Sequence, residues 1–96
     1  MLAEHSNKVV NCKTFAEASE LMSIYHANGW TWINNDPAMQ RGVIYDLGDW
    51  YYNKANTCYS LQDKFTYGDI DFYTSQKMQI LSLNEFKQLE NMSWIL

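Results

Sequence analysis

"KVVNCKTFAEASELMSIYHANGWTWIN", residues 8–34, predicts a strand, a helix and a second strand joined by short connections. The pair Val9-Val10 indicates the first strand, because β-branched side chains favour extended backbone. In residues 30–34 the side chains alternate, which places Trp30 and Trp32 together on one face of the second strand. The stretch therefore predicts a β-α-β unit at the start of the domain.

The helix between these strands has recognisable signals at both ends. Thr14 and Glu17 form a capping-box pattern, in which the two side chains satisfy backbone N–H groups at the helix start. Asn28 and Gly29 tolerate the left-handed backbone conformation that ends many helices. The apolar residues that recur at helical spacing between these ends are Phe15, Ala18, Leu21, Met22 and Tyr25.

The second half of the chain predicts further strands and a second main helix. "TCYSLQDKFTY", residues 57–67, indicates a hairpin that turns at residues 62–64. A short helix capped by Asp69 and the strand "MQIL", residues 78–81, follow the hairpin. Ser82 and Glu85 repeat the capping-box pattern and predict the start of the last helix.

Two stretches lack a clear pattern. Asp36-Pro37 predicts the start of a short helix, and "QRGVIYDLGDWYYNKAN", residues 40–56, predicts a long loop with one turn of helix. The order β-α-β-loop-β-β-(α)-β-α indicates one α+β domain over residues 1–96. We expect a mixed or antiparallel sheet of about four to five short strands, with two main helices on one face.

The ends of the chain are expected to differ from the body of the domain. Residues 1–7 are predicted to be a frayed N-terminus. "MSWIL", residues 92–96, forms an apolar C-terminal tail, which either folds back on the sheet or is buried against a second subunit. A homodimer formed through this tail is therefore a hypothesis.

The composition excludes several classes of function. The 96 residues suffice for one domain, and 47% of them are hydrophobic, as in globular proteins. The net charge is −4 and the seven basic residues are scattered singly, so direct binding to nucleic acid is not expected. No apolar run approaches the length of a membrane span or of a signal sequence. We therefore predict a cytoplasmic protein without membrane contact.

The cysteines and histidines do not form a recognisable site. Cys12 and Cys58 lie in strand-like contexts, where a free thiol usually behaves as a small buried apolar group. His5 and His26 do not combine with these cysteines at the spacing of a zinc motif. No pattern of a catalytic nucleophile or a phosphate loop is present, so we predict no enzymatic activity and no cofactor.

Asp69 and Asp71 are the one carboxylate pair with a chemical alternative. Carboxylate oxygens bind hard divalent cations, so a metal-dependent enzyme that uses the two residues is a third hypothesis. A helix start also favours acidic residues, because the helix dipole is positive there. Since no full ligand set is visible, the sequence favours the second interpretation, and no metal site is predicted.

"GDWYYNK", residues 48–54, predicts a partner-binding surface. Three consecutive aromatic residues cannot all face one way in a helix or a strand, so at least one must meet solvent or a partner. Exposed tryptophan and tyrosine are enriched at binding hot spots, although aromatic residues can also cover the open side of a sheet. The residues predicted to contact a partner are Asp49, Trp50, Tyr51, Tyr52 and Lys54.

Three stretches together resemble small uncharacterised accessory proteins carried by bacteriophages and prophages: residues 14–32, 56–61 and 67–89. The shared features are a helix that ends at Gly29-Trp30, the strand that begins at residue 56 with Asn-Thr-Cys-Tyr, and a Tyr-Gly step at residues 67–68. An aromatic pair at residues 72–73 and Phe86 in the last helix complete the pattern. The chain departs from it at residues 74–77, where an Asn-Gly type of turn is expected.

The resemblance implies expression in an infected bacterial cell. Such proteins often inhibit host defence or redirect host enzymes by binding them. The expected function is therefore binding and inhibition of a bacterial host protein, for example a defence factor such as a nuclease. The alternative hypothesis is a binding protein that sequesters a nucleotide messenger between aromatic faces of an oligomer, although such a site needs cations and basic residues are sparse.

Overall fold

A computed structural model describes the backbone of residues 2–44 and 47–95, and the side chains of residues 2–44 and 50–91. The elements in chain order are β1 (His5–Asn11), α1 (Phe15–Ala27), β2 (Thr31–Trp32), β3 (Met39–Gln40), β4 (Val43–Ile44), α2 (Leu47–Asn53), a 3-10 turn (Lys54–Asn56), β5 (Thr57–Leu61), β6 (Lys64–Phe65), β7 (Tyr67–Asp69), α3 (Ile70–Ser75), β8 (Gln79–Ser82) and α4 (Leu83–Ile95).

A four-stranded mixed sheet in the order β7-β5-β1-β8 lies at the centre of the domain. Strand β5 is antiparallel to both of its neighbours, whereas β1 and β8 are parallel. The remaining strands form two small pairs, β2 with β6 and β3 with β4. The chain is thus a single α+β domain with a mixed sheet, as the order of predicted elements indicated.

The two main helices, α1 and α4, pack on one face of this sheet, as predicted, and the short helix α3 covers the other face. Val10 and its neighbours pack against α1 and α4 in the larger apolar core. Val9, which points the other way from the same strand, packs with Cys58 and with Tyr73 of α3. All five residues of β5 are buried, because both its faces are covered and both its edges are paired. The short helix α3 is therefore a structural layer of its own.

The predicted helix starts are confirmed by their hydrogen bonds. At the start of α1, Thr14 Oγ1 accepts from the backbone N–H of Glu17 at 3.1 Å. Asp69 caps α3 in the same way. At the start of α4 the capping box is complete, because Ser82 Oγ accepts from the N–H of Glu85 and a Glu85 carboxylate oxygen accepts from the N–H of Ser82. Hydrogen bonds from the backbone N–H and the side chain of Ser82 to the Glu85 carboxyl lower its pKa.

Aromatic side chains fill the core beside α1. The Tyr25 ring lies 4.9 Å from that of Trp30 and 4.8 Å from that of Phe65, between ring centroids. Its hydroxyl donates to the backbone oxygen of Ser60 at 2.8 Å, which satisfies the only polar atom of this buried side chain. Trp30 and Trp32 are both buried in the same core, as predicted, although β2 begins at Thr31 and does not include Trp30.

The long loop with one turn of helix that was predicted over residues 40–56 is only partly confirmed, because a helix is present but the segment also contains a hairpin. Strands β3 and β4 pair around the two-residue turn Arg41-Gly42, and helix α2 follows. Both turn residues have positive φ, a geometry that is usually signalled by Asn-Gly and not by Arg-Gly. The short helix predicted at Asp36-Pro37 is wrong, because Pro37 forms a β-bridge with Thr31.

Three further features of the strands and helices differ from the sequence prediction. Strand β1 begins at His5, so residues 5–7 belong to the sheet and not to a frayed terminus. The hairpin after residue 57 pairs β5 with β7, while β6 leaves the sheet to pair with β2. Helix α4 extends to Ile95, but the side chains of residues 92–96, on which the dimer hypothesis depends, lie outside the described residues.

Candidate functional site

Helix α2 presents two tyrosines to solvent. Tyr52 is 83% exposed and Tyr51 is 53% exposed, whereas Trp50 is half-buried. The prediction that at least one of the three aromatic residues meets solvent is therefore confirmed. The side chain of Asp49, which was also predicted to contact a partner, lies outside the described part of the chain.

Trp50 anchors α2 to the central sheet. Its indole Nε1–H donates to the backbone oxygen of Cys12 at 3.0 Å, just beyond the end of β1. Its own backbone oxygen accepts from Thr57 Oγ1 at 3.2 Å, at the start of β5. One residue thereby fixes the helix to two adjacent strands. The main role of Trp50 is therefore to hold α2 in position.

Phe15, the first residue of α1, packs against the ring of Tyr51. The two rings are stacked, with centroids 5.4 Å apart and an interplanar angle of 19°. The Trp50 ring meets the Tyr51 ring edge to face at 5.4 Å. Tyr51 is therefore held between two rings while half of its surface remains open, which limits the conformational entropy that it would lose on binding.

An apolar groove of about 380 Å³ opens beside Tyr51. It lies between the start of α1, the hairpin β3–β4 and helix α2. The described residues that line it are Phe15, Ser19, Met39, Gly42, Val43, Ile44 and Tyr51, and none of these seven is charged. Val43, on the outer side of the hairpin, is 59% exposed. The groove has the size and polarity to receive one large apolar side chain.

The predicted binding residues thus separate into different roles. Tyr51 lines the groove, Tyr52 is exposed on the same helix, and Trp50 holds the helix in place. Lys54 is exposed in the 3-10 turn after α2, with a positive φ of 51°, and it is not part of the groove lining.

Sequence reasoning missed most of the groove. Phe15 fits the helical spacing of the α1 core, so its periodicity gives no sign that its ring supports an exposed tyrosine. Met39 and Val43 lie in two-residue strands, which are too short for an alternation pattern. The Gly42 turn is the one signal that could have identified the hairpin.

Other chemistry-bearing residues are engaged in the fold. Asp69 Oδ1 accepts from the N–H of Phe72 at 2.7 Å, as a helix cap does. Burial raises the pKa of the Cys58 thiol to about 11, and it also raises the pKa of Cys12. Within residues 2–44 and 50–91, no group of three or more His, Cys, Asp or Glu side chains is placed to hold a metal ion.

Two further cavities lie near the C-terminal end of α1. One of about 290 Å³ includes Phe86, Lys87 and Glu90 in its lining, and one of about 310 Å³ includes Trp30 and Asp63. In the first, Lys87 pairs with Glu20, and both carboxylate oxygens of Glu90 are buried. The second cavity is also lined by Glu4, whose carboxylate accepts from the backbone N–H of Asp63 at 2.7 Å, so its exposed acidic groups are partly engaged with the fold.

Comparisons with known proteins do not identify a family. None of the family models matches the chain, and no curated protein or solved structure is significantly similar to it. In the described part of the chain, no helix has both the length and the apolar character that crossing a membrane requires.

Proposed function

We propose that this protein acts by binding a bacterial host protein through the groove and the exposed tyrosines of α2, and that binding inhibits or redirects that protein. The observation that carries the proposal is the exposure of Tyr51 and Tyr52 beside an apolar groove with Val43 on its rim. Folding explains the position of Trp50, but it leaves these side chains open to water.

The energetics of such a surface favour a protein partner. Tyrosine gives a large contact area and a polar tip at a small entropic cost, so it is enriched among residues that dominate binding energy. A groove of about 380 Å³ can enclose an anchor side chain from a partner, and Tyr52 can pack around it. Truncation of one such tyrosine typically costs about 2 kcal/mol of binding energy, or roughly thirtyfold in Kd.

The cellular setting is proposed from the resemblance to accessory proteins of bacteriophages and prophages. In that setting the protein is in the cytoplasm of an infected bacterium, and its partner is a host protein such as a defence nuclease. The net charge of −4 fits a protein that contacts the nuclease itself and not its nucleic acid.

The groove favours a protein over a nucleotide messenger as the occupant. Phosphate groups are bound by Lys, Arg or backbone N–H groups at helix starts, whereas the described lining is apolar apart from Ser19. A thermal-shift screen with cyclic and linear nucleotides separates the two, because tight binding of a nucleotide raises Tm by mass action. A large shift with any of them would favour the messenger hypothesis.

The test is affinity capture from bacterial lysate with matched variants. Tyr51→Ala and Tyr52→Ala are compared with Phe72→Ala, because Phe72 is 54% exposed, almost as Tyr51 is, but lies on α3. We expect a partner that the unmodified protein and the Phe72 variant both retain and that the two tyrosine variants lose. Ile33→Ala is the corresponding control for Val43→Ala, since both side chains are exposed and aliphatic.

Two results would contradict the proposal. Capture of the same partner by all variants would exclude the α2 surface as the binding site. Failure to recover any specific partner, including in direct mixing with purified defence nucleases, would exclude the proposed class of function. Circular dichroism of each variant confirms that a loss of binding is not a loss of folding.

A further inference from the structure

Arg41 occupies a backbone position that does not suit it. It is the first residue of the two-residue turn between β3 and β4, with φ of 55°, and Gly42 follows with φ of 81°. The left-handed region brings Cβ close to the following carbonyl, so Gly, Asn and Asp are preferred there. An arginine at this position strains the turn.

The fold gives no reason for this arginine. Arg41 is exposed, and within the described residues it makes neither a hydrogen bond nor an ion pair. An asparagine would fit the same turn with less strain. Positive φ alone does not mark a site, since Lys54 and Lys77 share it, but of these three residues Arg41 is the one within two positions of the groove lining. Residues in sparsely populated backbone regions cluster at functional sites.

The turn that contains Arg41 adjoins the groove in the chain. Three lining residues of the groove, Met39, Gly42 and Val43, lie within two residues of Arg41 in the hairpin. Arg41 is not itself among the seven described lining residues, none of which is charged, but its position in the hairpin places a cation next to them in the chain. Arginine binds a carboxylate through two parallel hydrogen bonds, which makes it a directional recognition group.

We propose that Arg41 selects the partner segment: the groove takes a large apolar side chain that has an aspartate or glutamate beside it in sequence. The apolar side chain fills the groove, and the carboxylate pairs with the guanidinium of Arg41. This inference rests on the proposed function, because it specifies which segment of a partner protein the same surface recognises. The strain at Arg41 then lowers the stability of the fold, while its guanidinium makes binding specific for an acidic partner segment.

Lys77 provides a matched control for the backbone strain. It is a basic residue with φ of 60° in the turn between α3 and β8, and it does not line the groove. Arg41→Asn and Lys77→Asn should both raise Tm by several degrees, because both remove a strained side chain from the left-handed region. Only Arg41→Asn should alter binding. Arg41→Glu keeps the strain and reverses the charge.

The experiment selects yeast-displayed random peptides on the immobilised protein and on each variant. We expect the unmodified protein and Lys77→Asn to enrich peptides in which Asp or Glu lies next to a large apolar residue. Arg41→Asn should bind those peptides about two- to fivefold more weakly, the upper part of the range for an exposed ion pair, and salt should weaken binding to the unmodified protein more than binding to this variant. Arg41→Glu should enrich Lys or Arg beside the apolar residue instead.

The outcomes separate this inference from the proposed function. If the enriched peptides carry apolar anchors without acidic neighbours, and Tyr51→Ala abolishes their binding, the role of Arg41 is overturned while the binding surface stands. The same holds if Arg41→Asn leaves affinity unchanged. If no enriched peptide depends on Tyr51 or Val43, both the surface and the inference are overturned.

Discussion

Replacing Trp50 by Phe tests whether one indole N–H holds helix α2 on the sheet. The variant keeps an aromatic ring beside Phe15 and keeps the backbone oxygen that accepts from Thr57. It removes the donor to the backbone oxygen of Cys12, a residue that is fully buried. The change in stability therefore reports the loss of a single hydrogen bond and of part of the aromatic ring.

The expected loss of stability follows from these contacts. Leaving a buried carbonyl without its donor costs about 1–2 kcal/mol, and the smaller ring loses about 1 kcal/mol of apolar burial. The free energy of unfolding should fall by about 2–3 kcal/mol in total. For a chain of this size, each 1 kcal/mol lowers Tm by roughly 4–8 °C, so Tm should fall by about 10–20 °C.

The measurement is urea denaturation followed by far-UV circular dichroism, since tryptophan fluorescence itself changes with the substitution. Tyr52→Phe is the control, because Tyr52 is 83% exposed and its change should cost less than about 0.5 kcal/mol. The dependence of unfolding on urea should be similar in both variants. A loss below about 0.5 kcal/mol for Trp50→Phe would mean that the indole hydrogen bond does not hold α2.

Further predictions concern the caps and the thiols. Ser82→Ala should lower the free energy of unfolding by about 1 kcal/mol in urea denaturation, whereas Asn84→Ala on the exposed side of the same helix should leave it nearly unchanged. The lowered pKa of Glu85 means that its stabilising contribution is present above its ordinary pKa and is lost as pH falls through the lowered value; in Ser82→Ala an NMR titration should find the Glu85 pKa closer to its ordinary range. The raised pKa of Cys58, about 11, has the opposite sign: its contribution is present below the ordinary thiol pKa and is lost as pH rises towards 11, so Cys58→Ala should reduce the loss of stability in alkaline solution. At pH 8 the native protein should react with iodoacetamide at Cys58 only as fast as it opens, and fast labelling without denaturant would contradict the burial of that thiol.

The helix starts could be predicted from sequence because their signals are local. Thr14, Asp69 and Ser82 each accept a hydrogen bond from a backbone N–H three residues ahead, so the whole interaction is contained in a few residues. The burial of Trp30 and Trp32 is predictable in the same sense, because side chains two residues apart in extended backbone point to the same side. These features do not depend on which element packs nearby.

The sheet order was only partly predictable. Alternation indicates that β5 is a strand, but not that it is central, with both faces covered and every residue buried. The place of α3 on the second face depends on Val9 and Tyr73, which are distant in the chain. Pairing of β6 with β2 is likewise a contact between distant segments, with no trace in either short strand.

For the three aromatic residues at positions 50–52, the sequence pattern and the tertiary contacts determine different things. Its length alone required that at least one ring be exposed, because consecutive side chains cannot share a face. Which ring is exposed depends on contacts with Cys12 and Phe15, far away in the chain, that hold Trp50 down and leave Tyr51 and Tyr52 open. The groove arises in the same way, from three segments that only the folded chain brings together. Local sequence patterns thus determine the helices and strands and require that some aromatic side chain be exposed. Packing between segments distant in the chain determines which aromatic side chains are exposed and where they lie.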